Sequence, residues 1–323
     1  MNRYKTITTV CSLLLLAFSL KGMAQGSPIT IVDTPADARA SAMGGFSLLG
    51  TDRNYLYVNP DGIFQNDAKL TMTAGGLLFP KVEGPKGRLI NGMLSAGWRF
   101  HDRHAVFVGA RYQGGLTFSV NSEQFGKGGN TTTELKPTEY TVDLGYSYKL
   151  NEKFSAFATA SFFQGYTGRT AYAALFGVGA NFRTDLEVCR FPSKLNVTFR
   201  IADFGSPIYY KRSESYSLPS KVELAGDLGI DFNDRHRLTL ALGTRYFFLP
   251  SDAKIFNANL GAEYQLMQLL SFRAGYQYSS KHNAFWSVGI GVKYRSAKLD
   301  LAFLKGKNDV IGNRMMATVS LDF

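Results

Sequence analysis

Long apolar runs are missing from this chain. No stretch of about 18 uninterrupted apolar residues occurs, which excludes a bundle of membrane-crossing helices. Cysteine is nearly absent as well. Of two, Cys11 falls in a leader described below and Cys189 stands alone. One thiol cannot form an internal disulfide or a thiolate cluster, so neither structural zinc nor redox chemistry carries the fold. Signatures of catalysis are also lacking: there is no Gly-x-Ser-x-Gly, no His-Glu-x-x-His and no phosphate-binding glycine loop. The four histidines sit at expected turns, with His101 and His104 flanking one, His236 at another and His282 in an outer loop. Beside His282 stand Ser279, Ser280 and Asn283, but neighbours on one short loop do not reach triad geometry. No enzyme, cofactor or metal site is expected.

What is abundant points to strands. With 33 Gly, 25 Phe, 17 Tyr and only 10 Pro in 323 residues, the composition favours strands joined by turns, and the class is all-β. Lys and Arg number 36 against 25 Asp and Glu, yet they are scattered singly, without the run or stripe that nucleic acid requires. The first 24 residues read as a cleaved signal peptide: Arg3 and Lys5 precede an apolar stretch from Ile7 to Leu20, then Gly22-Met23-Ala24. Its removal takes away Arg3, Lys5 and Lys21 and leaves 33 basic against 25 acidic residues. Cys11 lies too early in the leader for a lipoprotein signal.

From residue 68 to the last residue, fourteen alternating segments follow one another: 68–79, 88–100, 104–120, 134–150, 154–165, 171–183, 194–205, 218–232, 235–249, 254–266, 269–279, 284–295, 298–305 and 312–323. Nearly all are as long as a tilted membrane-crossing strand needs, about 9 to 11 residues. Their connections alternate short and long, as in an outer-membrane barrel with tight periplasmic turns and longer outer loops. The short ones are 101–103, 151–153, 233–234, 267–268 and a turn around 296–297; opposite them lie 81–87, 121–133, 206–217 and 306–311. Only 184–193, with Cys189 and Pro192, is expected to be long on the short side. Parity sends Leu240, Leu242, Trp286, Val288 and Ile290 toward outer-membrane lipid and Thr239, Arg245, Ser287 and Lys293 inward. Phe100, Tyr148, Phe182, Phe232, Tyr264, Tyr294 and Phe323 then end the descending strands as an interfacial girdle. The alternation Met315, Ala317, Val319, Leu321, Phe323 up to a terminal aromatic carboxylate resembles the signal read by the barrel insertion machinery.

Residues 25–67 do not alternate and read as a hatch-like segment, with the barrel at 68–323. They contain Ala38-Arg39-Ala40-Ser41-Ala42-Met43-Gly44-Gly45, then Asp52, and Asn59-Pro60-Asp61-Gly62. This pattern resembles the N-terminal region of the PorV/PorQ family, a Bacteroidetes branch of the FadL-like outer-membrane barrels. Arg273-Ala274-Gly275-Tyr276 and Gly289 to Tyr294, followed by Leu299 to Phe303, resemble that family's closing hairpins. Asp61 stands where Ala is usual, a departure expected to change the turn little. The resemblance implies a fourteen-stranded barrel with an N-terminal hatch, and the strand count from alternation agrees. It also implies an accessory role in type IX protein secretion, engaging secreted proteins or attachment machinery through the outer loops. The wider FadL-like group implies instead a passive channel for a hydrophobic small molecule, and a structural barrel holding a partner is a third possibility. Within the hatch, Gly44 and Gly45 suit close backbone approach, Asn59-Pro60 a turn, and Arg39 a lumenal carboxylate.

Turn centres also set which inward charges face each other. The expected pairs are Glu223 with Arg245, Asp231 with Arg237, Glu263 with Arg273, and Arg295 with Asp300. Matched partners indicate walls cross-linked by ion pairs more than a charged track for a polar solute.

The loop alternation predicts that Lys127, Lys211 and Lys305 face the cell exterior and Asn151 to Lys153 the periplasm. Cysteines placed at Lys127 and Lys153 should react and not react, respectively, with an impermeant thiol reagent on intact cells. The reverse result would invert the topology.

Overall fold

Strands of alternating character have one face to give to lipid and one to the lumen, and a row of them leaves unpaired backbone at both edges unless it closes. The computed structural model closes it. It describes residues 29–46, 48–50, 53–121, 132–211, 214–250, 254–281, 284–306 and 312–323. The leader with Cys11, the loop position Lys127, and His282 and Asn283 lie outside the described residues.

Fourteen antiparallel strands form the barrel wall. In chain order they are β1 (Leu70–Leu78), β2 (Lys86–Arg99), β3 (His104–Asn121), β4 (Thr138–Lys149), β5 (Phe154–Tyr166), β6 (Thr170–Val188) and β7 (Phe191–Gly205). There follow β8 (Lys221–Asn233), β9 (His236–Phe247), β10 (Ile255–Leu266), β11 (Leu270–Ser279), β12 (Phe285–Tyr294), β13 (Ala297–Gly306) and β14 (Asn313–Asp322). Each pairs with its sequence neighbours, and β1 also pairs with β14, from Thr71 opposite Asp322 to Leu78 opposite Met315. Two short pieces lie beyond the wall's main ladder: Thr132–Leu135 continues β3 as a hairpin, and Ile208–Lys211 pairs with Glu214–Tyr216.

The side-chain period is visible in β14, where Arg314, Met316, Thr318 and Ser320 are buried while Met315, Val319 and Leu321 are exposed. On β12 the outward Trp286 is 66% exposed and the inward Ser287 is buried. An exposed apolar band of this kind is stable only against hydrocarbon. At the short-turn edge the aromatic rings contact one another, with centroids 5.0 Å apart for His104 and Tyr148, for Phe154 and Phe182, and for Phe191 and Phe232.

Two features depart from the sequence reading. The connection 184–193 is not a loop, because β6 and β7 continue pairing to Val188 opposite Phe191 and turn at Cys189 and Arg190. Both turn residues have left-handed backbone, φ 51° and 74°, the geometry of the tightest hairpin turns. That geometry normally announces itself as Asn-Gly or Asp-Gly, so Cys-Arg carries no signal. The last periplasmic hairpin also turns earlier than expected. Tyr294 pairs with Ala297, which sets Asp300 opposite Gly291 instead of Arg295. Arg295 is at the turn itself (φ 53°), exposed, with its guanidinium 5.4 Å from the Tyr294 ring centroid.

The chain end completes the ring. The Phe323 N–H donates to the Leu70 carbonyl at 2.8 Å, and the Phe323 carbonyl accepts from Lys69 and Leu70 at 3.0 and 3.2 Å. Deleting Phe323 should therefore remove three closing hydrogen bonds and lower the amount of heat-modifiable, assembled barrel several-fold, whereas Phe323→Tyr should assemble normally. Full assembly of the deletion would show that the last residue is dispensable.

Candidate functional site

Inside the wall, the described residues between 29 and 66 fill the lumen as a hatch tied to strands all around the barrel. Its one short helix, α1 (Ala38–Ala42), starts at Asp37, whose carboxylate accepts from the Ala40 N–H at 2.8 Å. The orphan N–H of Ala38 donates to Thr318 on β14 at 3.0 Å. Beyond the helix, Met43, Gly44 and Gly45 press against β10 to β12. Gly44 has φ +100°, and a Cβ there would meet the Leu260 carbonyl at 2.7 Å, so only glycine fits. Asn259 donates to the Gly44 carbonyl, and Ser287 to the Ala42 carbonyl at 2.9 Å. The second motif forms a 3₁₀ turn, Pro60–Gln65, capped by Asn59, which accepts from the Asp61 N–H at 3.2 Å and donates to Thr198 at 3.0 Å. Pro60 occupies the first helical position, where its missing N–H costs nothing, and the Gly62 N–H closes the turn on the Asn59 carbonyl at 3.0 Å.

Among the described residues, charge fastens the hatch at three points. Asp33 meets Lys221 of β8 at 2.8 Å, Arg39 meets Glu263 of β10 through two bonds of 2.9 and 2.8 Å, and Arg53 meets Asp322 of β14 at 2.6 Å. Arg39 is 2% and Glu263 6% exposed, and a fork on a carboxylate in such a setting is a strong pair whose rupture costs about 3 to 5 kcal/mol. The wall is cross-linked in the same way. Glu263 also accepts from Arg273, whose guanidinium reaches Asp300 at 2.8 Å, and Lys298 reaches the same carboxylate at 3.0 Å. Gly291 makes room for this, since a Cβ there would lie 2.6 Å from Arg273 Nη2. Glu223 takes Arg245 at 2.6 Å and Arg200 at 2.7 Å, and Asp231 stands 3.6 Å from Arg237 in a more exposed position.

Some of these partners escape a search for directly opposed charges. Arg111 reaches Asp143 at 3.0 Å although its register partner is Thr141, because the contact runs diagonally across β3 and β4. Tyr57 of the hatch donates to the same carboxylate at 2.8 Å, and burial raises the phenol's pKa well above the usual range. A diagonal register search would have found Arg111. Nothing in the sequence would have found Tyr57, whose partner is set by how the hatch folds.

The hatch separates two cavities. One of about 570 Å³ opens on the long-connection side, bounded by Asp37, Gly45, Phe46 and Tyr57 of the hatch and by Phe79, Phe247 and Phe285 of the wall. The other, about 560 Å³ on the short-turn side, is polar, with Arg53, Gln65, Lys149, Arg183, Arg237 and Lys293 on its walls. The two share no lining residue. At the short-turn rim, His104 and His236 engage the hydroxyls of Tyr146 and Tyr264 at 2.7 and 2.6 Å.

No family model matches the chain, and no curated relative does. Solved structures do. The toluene transporter TbuX of Ralstonia pickettii superposes with a TM-score of 0.55 at 13% identity over 91% of this chain and 100% of that one. For the toluene transporter TodX of Pseudomonas putida the values are 0.56, 15%, 94% and 98%, and for a FadL homologue of Pseudomonas aeruginosa 0.54, 13%, 94% and 100%. The chain has the fold of the FadL-like outer-membrane barrels. The narrower resemblance to PorV/PorQ finds no counterpart among these structures.

Asp61 leaves the Asn-Pro turn itself intact, but its carboxylate makes a tertiary contact that the turn motif does not foretell: it is fully buried against Ser147 of β4, with one oxygen lacking a hydrogen-bond partner. Burial pushes this carboxyl up to about 6, while hydrogen bonds from Ser147 and Ser155 and the Arg183 charge act the other way. A carboxyl whose folded value exceeds its unfolded one makes the native state hold more protons, so stability falls as pH rises from about 4 to about 6 and is level above. Thermal unfolding in detergent should show the wild type losing stability relative to Asp61→Asn across that window, by on the order of 2 to 3 kcal/mol. A difference that does not change with pH would mean Asp61 is ionised throughout.

Proposed function

We propose that the protein is a passive outer-membrane channel that admits small hydrophobic molecules through the cavity above the hatch. The observation that carries this reading is the cavity itself: about 570 Å³, walled by Phe46, Phe79, Phe247 and Phe285, facing the long connections and floored by the hatch. Its size matches small-molecule sites, and aromatic rings share its wall with polar and charged side chains that can orient a ligand. The shared fold with proteins described as toluene transporters and as a FadL homologue supports it. A type IX secretion role, implied by the PorV/PorQ resemblance, draws no support from these comparisons, and of the outer segments it would use, most of 121–133 lies outside the described residues.

Passage requires the hatch to yield. Arg39→Ala leaves Glu263 with Arg273 alone and loosens α1 from β10, while the wall keeps its ladder and its lipid face. In proteoliposomes or in cells lacking other channels, the wild type should raise uptake of radiolabelled toluene above the empty control, and Arg39→Ala should raise it several-fold more together with detergent sensitivity. Uptake equal to the empty control for both proteins would overturn the channel reading. If substitutions in 206–217 then abolished capture of a secreted protein, the secretion role would replace it.

A further inference from the structure

The cavity above the hatch holds a charge that its surroundings do not balance. Its basic side chains are mostly committed: Arg111 to Asp143, Arg200 and Arg245 to Glu223, and Lys221 to Asp33 and Asp203. Arg314, pointing inward from β14, differs. It is 7% exposed and lines the cavity, yet no carboxylate among the described residues lies within ion-pair distance, and its buried Nε–H has no hydrogen-bond partner. Its one described contact is the Phe285 ring, whose centroid lies 5.1 Å from the guanidinium carbon. A ring face attracts the cation but satisfies none of its five N–H donors.

We propose that Arg314 is the centre of an anion site in this cavity and that its ligand class is small aromatic carboxylates. The inference rests on the channel reading and narrows its substrate. A buried guanidinium without a counter-ion is costly, and the group that suits it is a planar acceptor taking two parallel N–H bonds, as a carboxylate does. The two carboxylates on the cavity wall do not compete for that role, because Asp33 is bound to Lys221 and Asp37 caps α1. Lys281 lines the same cavity. The rest of the ligand meets rings: Phe285 beside the guanidinium, with Phe79, Phe247 and Phe46 also on the cavity wall. Aromatic side chains pack aromatic ligands edge-to-face or offset. A neutral hydrocarbon in the same place would displace water from Arg314 and offer nothing in return, so the site discriminates in favour of the acid.

Equilibrium dialysis of the detergent-solubilised full-length barrel with radiolabelled benzoate and benzyl alcohol at pH 7 tests this. Benzoate should bind the wild type more tightly than benzyl alcohol. Arg314→Gln should lower the benzoate-to-benzyl-alcohol affinity ratio about ten- to hundredfold, the loss of a charged hydrogen-bonded pair. Arg314→Lys, which keeps the charge and loses the fork, should fall between; it also serves if the glutamine variant does not assemble, assembly being read from heat-modifiable mobility. Equal affinities in the wild type, or a ratio unchanged in both variants, would overturn the anion site while leaving the channel standing. If neither compound binds, the anion site falls, and the channel reading is decided by the toluene uptake above.

Discussion

Glu263 stands where the hatch and two strands of the wall meet. On β10 it accepts two bonds from Arg39 and one from Arg273, and Arg273 passes the linkage to Asp300 on β13. In a lumen walled off by lipid, a carboxylate in this position must be matched by cations, since the desolvation penalty is otherwise several kcal/mol. That requirement ties the helix carrying Arg39 to one place in the barrel. The glycines around it follow from the same contact, for Gly44 must bring backbone against Leu260 and Gly291 must leave space for the Arg273 guanidinium.

The hatch and the wall are held by different forces. The wall rests on a closed hydrogen-bonded ladder and on an outward apolar band, which lipid supports and the lumen does not sense. The hatch rests on buried polar contacts to β4, β7, β8, β10 and β14, each modest or compensated, with apolar residues such as Met43, Phe46 and Leu48 filling the gaps. A plug so held can loosen without melting the barrel, which is the property a gated passage needs. Lumenal charge thus cross-links the wall and fastens the plug to it, and Arg314 is set apart because no carboxylate among the described residues pairs with it.

The wall was legible from alternation alone: period-2 patterning placed all fourteen strands, the lipid face and the aromatic rim, because a membrane strand must repeat that choice at every residue. Register followed where turns were recognisable. Asn233-Asp234 sets Glu223 opposite Arg245, whereas Cys189, Arg190 and Arg295 take left-handed backbone without being the residues that advertise it, so one loop and one ion pair were misplaced. Local chemistry cannot reveal a turn that its neighbours enforce.

The contents of the lumen were decided by tertiary structure. Residues 29–66 have no period, and their sequence alone does not say which strand each touches. The glycine and Asn-Pro motifs marked where the backbone would bend, but only the folded barrel shows Tyr57 on Asp143, Asp61 buried beside Ser147, and Arg314 over Phe285 with no carboxylate within ion-pair distance among the described residues. Strand pairing is a relation between neighbours in sequence, which a pattern can encode. The packing of a plug inside a ring joins residues up to 280 positions apart, as Ala38 meets Thr318, and such distances are set by closure of the chain in space.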